Sequence, residues 1–446
     1  MYFLYTLLVL VFFAVLSPYF AYQAVRYRKY IGSLPQRLGL LPVAFNLDGD
    51  ESIWVHAVSV GEVLTARALV GDLKAQYPRF RVFLSTTTMA GQQVARRNTP
   101  GADGVFYFPF DLGFIVERTL AVVKPRLFVM METEIWPNLL RACRRKDIRT
   151  VVVNGRISAR SYPRYRLIRP LFRRVLADID RFCVQGEETA RRLLDLGADA
   201  ERISVTGSLK FDSLQPPGAA MHESPAHRVL RFFRMPPGRP VIVAGSTLRG
   251  EEAAVLRVFQ RLRAAAGNPL LIVAPRHPER FGEVERLARD EGFQTVRRSE
   301  LAIDGEPHVE VVVLDTIGEL AQLYRLATVV FVGGSLVDAG GHNILEPAVF
   351  GKPIVFGPHM ENFREIAETF LAARAAIQVR SEAELADVLK ALLADSSRRA
   401  GLGAAASAVV EANRGAKAKT LAAIAALLPP TATRGPWGVV RPIRLD

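Results

Sequence analysis

Two segments of this chain place carboxylates where a strand gives way to a helix. In Val58-Ser59-Val60-Gly61-Glu62-Val63, Gly61 permits a tight turn and Glu62 falls in the first helical turn. A carboxylate at a strand's carboxyl end is positioned to act as a general base on a hydroxyl. The plainer explanation, and the stronger one from this segment alone, is a helix-start glutamate steadied by the helix dipole. Met131-Glu132-Thr133-Glu134-Ile135-Trp136-Pro137-Asn138 repeats the arrangement after an almost wholly apolar strand, and Pro137 suits a first helical turn. Glu134 reads as a cap residue. Glu132, nearer the strand end, is the better candidate for chemistry.

Cationic and glycine-rich segments follow. Lys210, in Thr206-Gly207-Ser208-Leu209-Lys210-Phe211-Asp212, can neutralise a phosphate or carboxylate, although most lysines are simply solvated. Arg276 ends an apolar strand in Ala274-Pro275-Arg276-His277-Pro278, where a guanidinium can grip an anion bidentately. The run Phe331-Val332-Gly333-Gly334-Ser335 leads on to Gly340-Gly341-His342-Asn343-Ile344-Leu345-Glu346-Pro347. Glycines let backbone approach a ligand closely, which makes Gly334 and Ser335 further candidates. Asn343 can cap the next helix, whose first N–H groups would attract a phosphate, and Glu346 can accept hydrogen bonds from ribose hydroxyls. A capped glycine-rich turn explains the glycines equally well, and Glu346 less well.

Several chemistries lack support. Neither a Walker A loop nor a G-x-G-x-x-G fingerprint occurs, which argues against an NTPase or a nicotinamide enzyme. His277, His342 and His359 are scattered, so no metal site and no cofactor is expected. Cys143 and Cys183 have no paired spacing and read as reduced, buried thiols.

The elements that must position these residues alternate. Apolar runs at 52–58, 81–85, 126–131, 150–154, 181–185 and 203–206 read as strands, separated by helix-length segments such as 62–76 and 136–145. Breaks at Gln215–Gly218 and Met235–Gly238 mark a boundary, after which strands at 240–244, 270–274, 309–314, 328–332 and 353–356 restart the pattern. Helices are expected at 251–265, 279–291, 317–326, 344–350, 385–393 and 399–428. The fold class is therefore α/β, with two doubly wound domains in tandem and ligands at the carboxyl ends of the strands. The expected bounds are an anchor at 1–28, domains at 29–218 and 219–428, and an irregular tail at 429–446.

Residues 1–25 carry no charged side chain, and Arg26, Arg28 and Lys29 follow at once. About 20 apolar residues suffice for a helix to cross a bilayer core, and the basic flank would hold the rest on the cytoplasmic side. Pro18 leaves open a helix that only dips into one leaflet. The formal net charge of +14 favours anionic partners: phospholipid headgroups, phosphorylated substrates or nucleic acid. The basic residues are dispersed along the chain, without the clustered stripe that nucleic-acid binding needs.

Taken in order, HAVSVGE at His56–Glu62, METEIWPN at Met131–Asn138, VTGSLKFD at Val205–Asp212, PRHPERF at Pro275–Phe281 and GGSLVDAGGHNILEPA at Gly333–Ala348 resemble the 3-deoxy-D-manno-octulosonic acid (Kdo) transferases of lipopolysaccharide synthesis. Ser208 stands where relatives often carry Asn, and Ile344 where many carry Pro. The resemblance implies a GT-B-like fold, two Rossmann-like domains facing a cleft, with the acceptor on the first and the nucleotide on the second. It implies inverting transfer from CMP-Kdo to the tetraacylated lipid A precursor at the inner membrane. It assigns Glu62 as general base, Glu132 and Lys210 as transition-state stabilisers, and Pro275, Arg276, Gly318, Glu319, Leu320, Asn343, Ile344, Leu345 and Glu346 as CMP contacts. Alternatives are another GT-B-like nucleotide-sugar enzyme, or a non-catalytic basic protein that binds a membrane surface.

Overall fold

The computed structural model describes residues 2–27, 31–158, 161–212, 229–263 and 267–428. The chain divides into two compact units: Met1–Ser213 with Arg414–Asp446, and Leu214–Asn413.

The first unit is built on β1 (Ser52–His56), β2 (Arg81–Thr86), β3 (Gly104–Tyr107), β4 (Pro125–Met131), β5 (Arg149–Gly155), β6 (Arg181–Val184) and β7 (Ile203–Val205). All pairings are parallel, in the order β3-β2-β1-β4-β5-β6-β7. Parallel strands are covered on both faces, so they must be apolar nearly throughout. Every residue of β1 is buried, as are Leu127–Met131 of β4. Alternation sends Trp54, Phe83, Phe106 and Phe128 to one core and Ile53, Val55, Leu84 and Val129 to the other. The strand order reverses between β1 and β4, the place where doubly wound sheets open a crevice at their carboxyl ends.

The second unit uses β8 (Val241–Thr247), β9 (Leu270–Pro275), β10 (Thr295–Arg297), β11 (Val311–Val313), β12 (Val329–Val332), β13 (Ile354–Phe356) and β14 (Ile377–Gln378). Its sheet is also parallel, in the order β10-β11-β9-β8-β12-β13-β14, and it reverses between β8 and β12.

The structure departs from the sequence pattern in several places. The helix expected at 317–326 shrinks to Leu320–Leu323 and a 3-10 turn, because Gly318 turns the chain at φ 89°. The helix expected at 344–350 is Leu345–Ala348. The run 399–428 is two helices, Ser396–Ala412 and Ala416–Ala425, broken at Gly415 with φ 96°. The second of these helices also corrects the expected span 219–428. Ala416, Ile424 and Leu428 are buried in the first unit's core with Val63, Ala66 and Leu69. Asp212 accepts the N–H groups of Gly415 and Lys417, each at 2.8 Å, and Lys417 pairs with Asp72 at 2.8 Å. The breaks expected at 215–218, and the tail, lie outside the described residues.

The N-terminal helix is Tyr2–Tyr27, and among the described residues no helix is long and apolar enough to cross a membrane. In place of a free spanning rod, its first half lies against the first unit. Tyr2 donates to Asp178 at 2.5 Å beneath the Arg141 guanidinium, Asn138 donates to Thr6 at 3.0 Å, and Phe13 meets Phe110 edge-on at 4.5 Å. The other face, with Phe3, Leu4, Leu7, Leu8, Val11, Phe12 and Val15, is exposed.

Candidate active site

In the first unit, the carboxyl ends of β1 and β4 gather three carboxylates. Glu62 lies in the first turn of the helix Val60–Gln76, where it accepts the Val58 N–H at 2.8 Å and the Ser59 hydroxyl at 2.9 Å. It therefore braces the helix start, as the plainer explanation requires. A dipole alone would lower its pKa, however, and here it is raised. Burial is the largest cause, the Glu132 charge adds to it, and the Val58 and Ser59 hydrogen bonds oppose it. Half-buried, pushed up and held by two donors, Glu62 has the properties of an aimed proton acceptor.

Glu132 sits just past β4 with φ 56°, and its N–H is held by the Val153 carbonyl at 2.9 Å. A glutamate in the left-handed region is strained, and such strain collects at functional sites. Glu134 is not a cap, since the following helix starts at Pro137 after Trp136. The first free N–H groups of that helix, on Asn138 and Leu139, go to Asp111 at 3.0 and 2.8 Å. Glu134 is instead a third member of the cluster. Burial, then the charges of Glu62 and Glu132, push its carboxyl up to about 7.

Lys210 lies in the short helix Leu209–Asp212. That turn is tied to the end of β5 by Asn154, itself at φ 55°, whose side-chain oxygen accepts the Leu209 N–H at 3.0 Å. His56, at the head of the first motif, is a packing residue. It is buried, stacked on Phe108 at 3.9 Å and bonded to Ser85, and burial drives its pKa down to about 3, so the ring is neutral.

In the second unit, Arg276 follows β9, fixed by its N–H to the Thr247 carbonyl at 2.9 Å, and its side chain is exposed. Its charge acts on both His342 and Glu346. Asn343 bridges the start of the helix Leu345–Ala348, accepting the Leu345 N–H at 3.1 Å and donating to Glu346 at 3.3 Å. Burial raises the Glu346 pKa, while Asn343 and then Arg276 lower it. Ile344 and Leu345 are fully buried, backbone included. The Glu319 carboxylate is already engaged, accepting from Arg298 at 3.0 Å and Thr316 at 2.6 Å; Gly318 and Leu320 flank it in the same turn. The N–H groups of Gly334 and Ser335, the two further candidates, both point at Glu251, at 2.6 and 2.9 Å.

The structure thus brings Glu62 together with Glu132, and Arg276 together with Asn343 and Glu346. Sequence reasoning missed Glu134 as a titrating acid, Asp111, Arg298 and Glu251. Only Glu134 left a signal, as the second carboxylate of a repeated arrangement. Among the described residues Asp338, within the glycine-rich motif, and His359 and Glu361 could group ligand atoms within 4.8 Å of one another. Cys143 and Cys183 are free and buried.

Two parallel seven-stranded sheets define an α/β, GT-B-like fold. The chain is similar to the UDP-GlcNAc 2-epimerase of Neisseria meningitidis bound to UDP-GlcNAc (TM-score 0.56, 13% identity, covering 84% of this chain and 100% of that one). It is likewise similar to a glycosyltransferase of Rickettsia africae (TM-score 0.55, 12% identity, 86% and 100%). At such identities the likeness concerns the fold alone.

Sequence comparison goes further. Residues 32–213 match the family described as 3-Deoxy-D-manno-octulosonic-acid transferase (kdotransferase). The chain is 35% identical to the 3-deoxy-D-manno-octulosonic acid transferase of Haemophilus influenzae, covering 94% of this chain and 97% of that one. It is 36% identical to that of Bordetella pertussis, covering 83% and 86%. The chain belongs to the 3-deoxy-D-manno-octulosonic acid transferase family and is a glycosyltransferase.

Proposed function

We propose that the chain transfers Kdo from CMP-Kdo to the tetraacylated lipid A precursor with inversion, Glu62 being the general base. The observation that carries this is the state of Glu62: half-buried, raised in pKa and braced by two donors at the first unit's switch point. Glu62 takes the proton of an acceptor hydroxyl, and that oxygen bonds to the anomeric carbon. The bond from that carbon to the CMP phosphate oxygen breaks, and CMP leaves as the anion. Arg276 balances the anion, with Asn343–Leu345, Gly318–Leu320 and the carboxylate of Glu346 as the remaining nucleotide contacts. Glu132 and Lys210 stabilise the transition state. The donor is already an activated phosphate ester, so the reading requires no cofactor.

The acceptor is a lipid, and the reading places the enzyme at the cytoplasmic face of the inner membrane. Support comes from the exposed apolar residues Phe3 to Val15 on the N-terminal helix and from Leu167 and Ile168, exposed beside Arg164, Arg166 and Arg169. An apolar face with basic neighbours suits a helix lying in the plane of an anionic interface.

Incubation of the purified enzyme with CMP-Kdo and the lipid precursor, followed by mass spectrometry of the lipid, tests this. A lipid heavier by one or more Kdo residues is expected. Free Kdo or an altered soluble sugar, with the lipid unchanged, would overturn it.

A further inference from the structure

Glu251 is wholly buried, with 0% of its surface exposed, and sits where the second sheet reverses direction, between β8 and β12. A buried carboxylate needs compensation. Its compensation is entirely backbone. Gly334 donates to one carboxylate oxygen at 2.6 Å and Leu248 to the same oxygen at 3.0 Å; Ser335 and Leu336 donate to the other at 2.9 and 2.8 Å. Successive N–H groups converging in this way form an anion nest of the kind that elsewhere cradles phosphate.

The surrounding backbone is shaped to build that nest. Ser246 lies at φ 56° and Gly334 at φ 68°. A side chain on Gly333 would begin 2.6 Å from the Ser246 carbonyl oxygen, and one on Gly357 would begin 2.2 Å from that of Ser335. The Ser335 hydroxyl accepts the Gly357 N–H at 2.8 Å, and the Gly333 carbonyl meets the His342 ring at 2.8 Å. The loop that Glu251 organises thus reaches β13 and, through His342, the group on which the Arg276 charge acts.

We propose that Glu251 is an internal anion, standing where a ligand phosphate would otherwise sit. It is a positioning residue. By saturating the nest it fixes the loop Gly333–Leu336 and leaves Arg276 as the cationic group for the leaving phosphate. The inference rests on the nucleotide reading of this unit and assigns that reading its geometry.

The test uses the full-length enzyme and two readouts. The first is hydrogen exchange of the amides of Gly334, Ser335 and Leu336, which needs no nucleotide. Glu251→Gln keeps the shape but loses the charge and turns an N–H donor toward N–H donors. Exchange should quicken by about tenfold or more, since bonds to a charged acceptor are the strong ones. The second is CMP affinity by calorimetry, which should weaken by about tenfold in Glu251→Gln and further in Glu251→Ala. Acetate or formate, which fit the vacated carboxylate position, should partly restore CMP binding to Glu251→Ala and should do nothing for the wild type.

Unchanged exchange and unchanged CMP affinity in Glu251→Gln would overturn the proposal, as would misfolding of both variants throughout the second unit. If the wild type binds no CMP while Glu251→Gln still loosens the loop, the nucleotide reading fails and the internal anion stands.

Discussion

The two units are both seven-stranded parallel sheets that reverse beside their first strand, although the second inserts β11 between β10 and β9, and they fill that reversal point oppositely. At β1 and β4 the first unit gathers Glu62, Glu132 and Glu134: the Glu132 charge helps raise the pKa of Glu62, and the charges of Glu62 and Glu132 help raise that of Glu134. At β8 and β12 the second unit also holds a carboxylate, Glu251, but saturates it with four N–H groups and puts the exposed Arg276 beyond β9. The first arrangement leaves its acids under-compensated, as the proposed proton acceptor requires. The second compensates its acid with backbone N–H groups, as the proposed anion holder requires. The surfaces differ as well: most exposed large apolar residues belong to the first unit, whereas the second exposes Ile303 and Ile317.

If the division of labour holds, the largest effect falls on proton transfer. Glu62→Gln should lower transfer by roughly a hundredfold to ten-thousandfold, the range for losing a general base, measured as lipid product per unit time. Wild-type turnover would remove Glu62 from the mechanism. Arg276→Ala should raise the KM for CMP-Kdo by tens of fold, about 2 kcal/mol for a lost charged hydrogen bond, with a smaller change in kcat. An unchanged KM would shift phosphate binding elsewhere.

The contrast in surfaces predicts that Leu4→Asp with Leu8→Asp reduces flotation with anionic vesicles by about tenfold or more, because two charges are moved into an apolar layer. Equal flotation would locate membrane contact on another face. The smallest effect is spectroscopic. Carbon-13 NMR of the glutamate carboxyls should show one group titrating near pH 7. That group is neutral below this pH and charged above it, and the signal should be missing from Glu134→Gln. Its persistence there would reassign the titration. The acid limb of the rate profile should lie above the ordinary glutamate range, because Glu62 must lose its proton to act and its pKa is raised.

Much of the fold was legible because parallel strands buried on both faces read as uninterrupted apolar runs. β1, β4, β8 and β9 all announced themselves in this way. The strands β3, β10 and β14, of four, three and two residues, were too short to carry a pattern, and they lie at or near sheet edges. The last helix, Ala416–Ala425, showed its helicity but not its unit, because its tie is Asp212, about 200 residues earlier.

In the candidate site, motif order pointed to Glu62, Glu132 and Arg276, whereas Glu251 left no trace. Its partners other than Leu248 are backbone groups 83 to 85 positions away, and backbone N–H groups are the same in every sequence. Glu134 was misread as a cap, because only the fold shows Asp111 already serving that helix start.

The separation of the two roles is tested most directly by titrating CMP into the Glu62→Gln variant by calorimetry. The account predicts wild-type CMP affinity in an enzyme that no longer transfers. A loss of CMP affinity in step with the loss of transfer would contradict it.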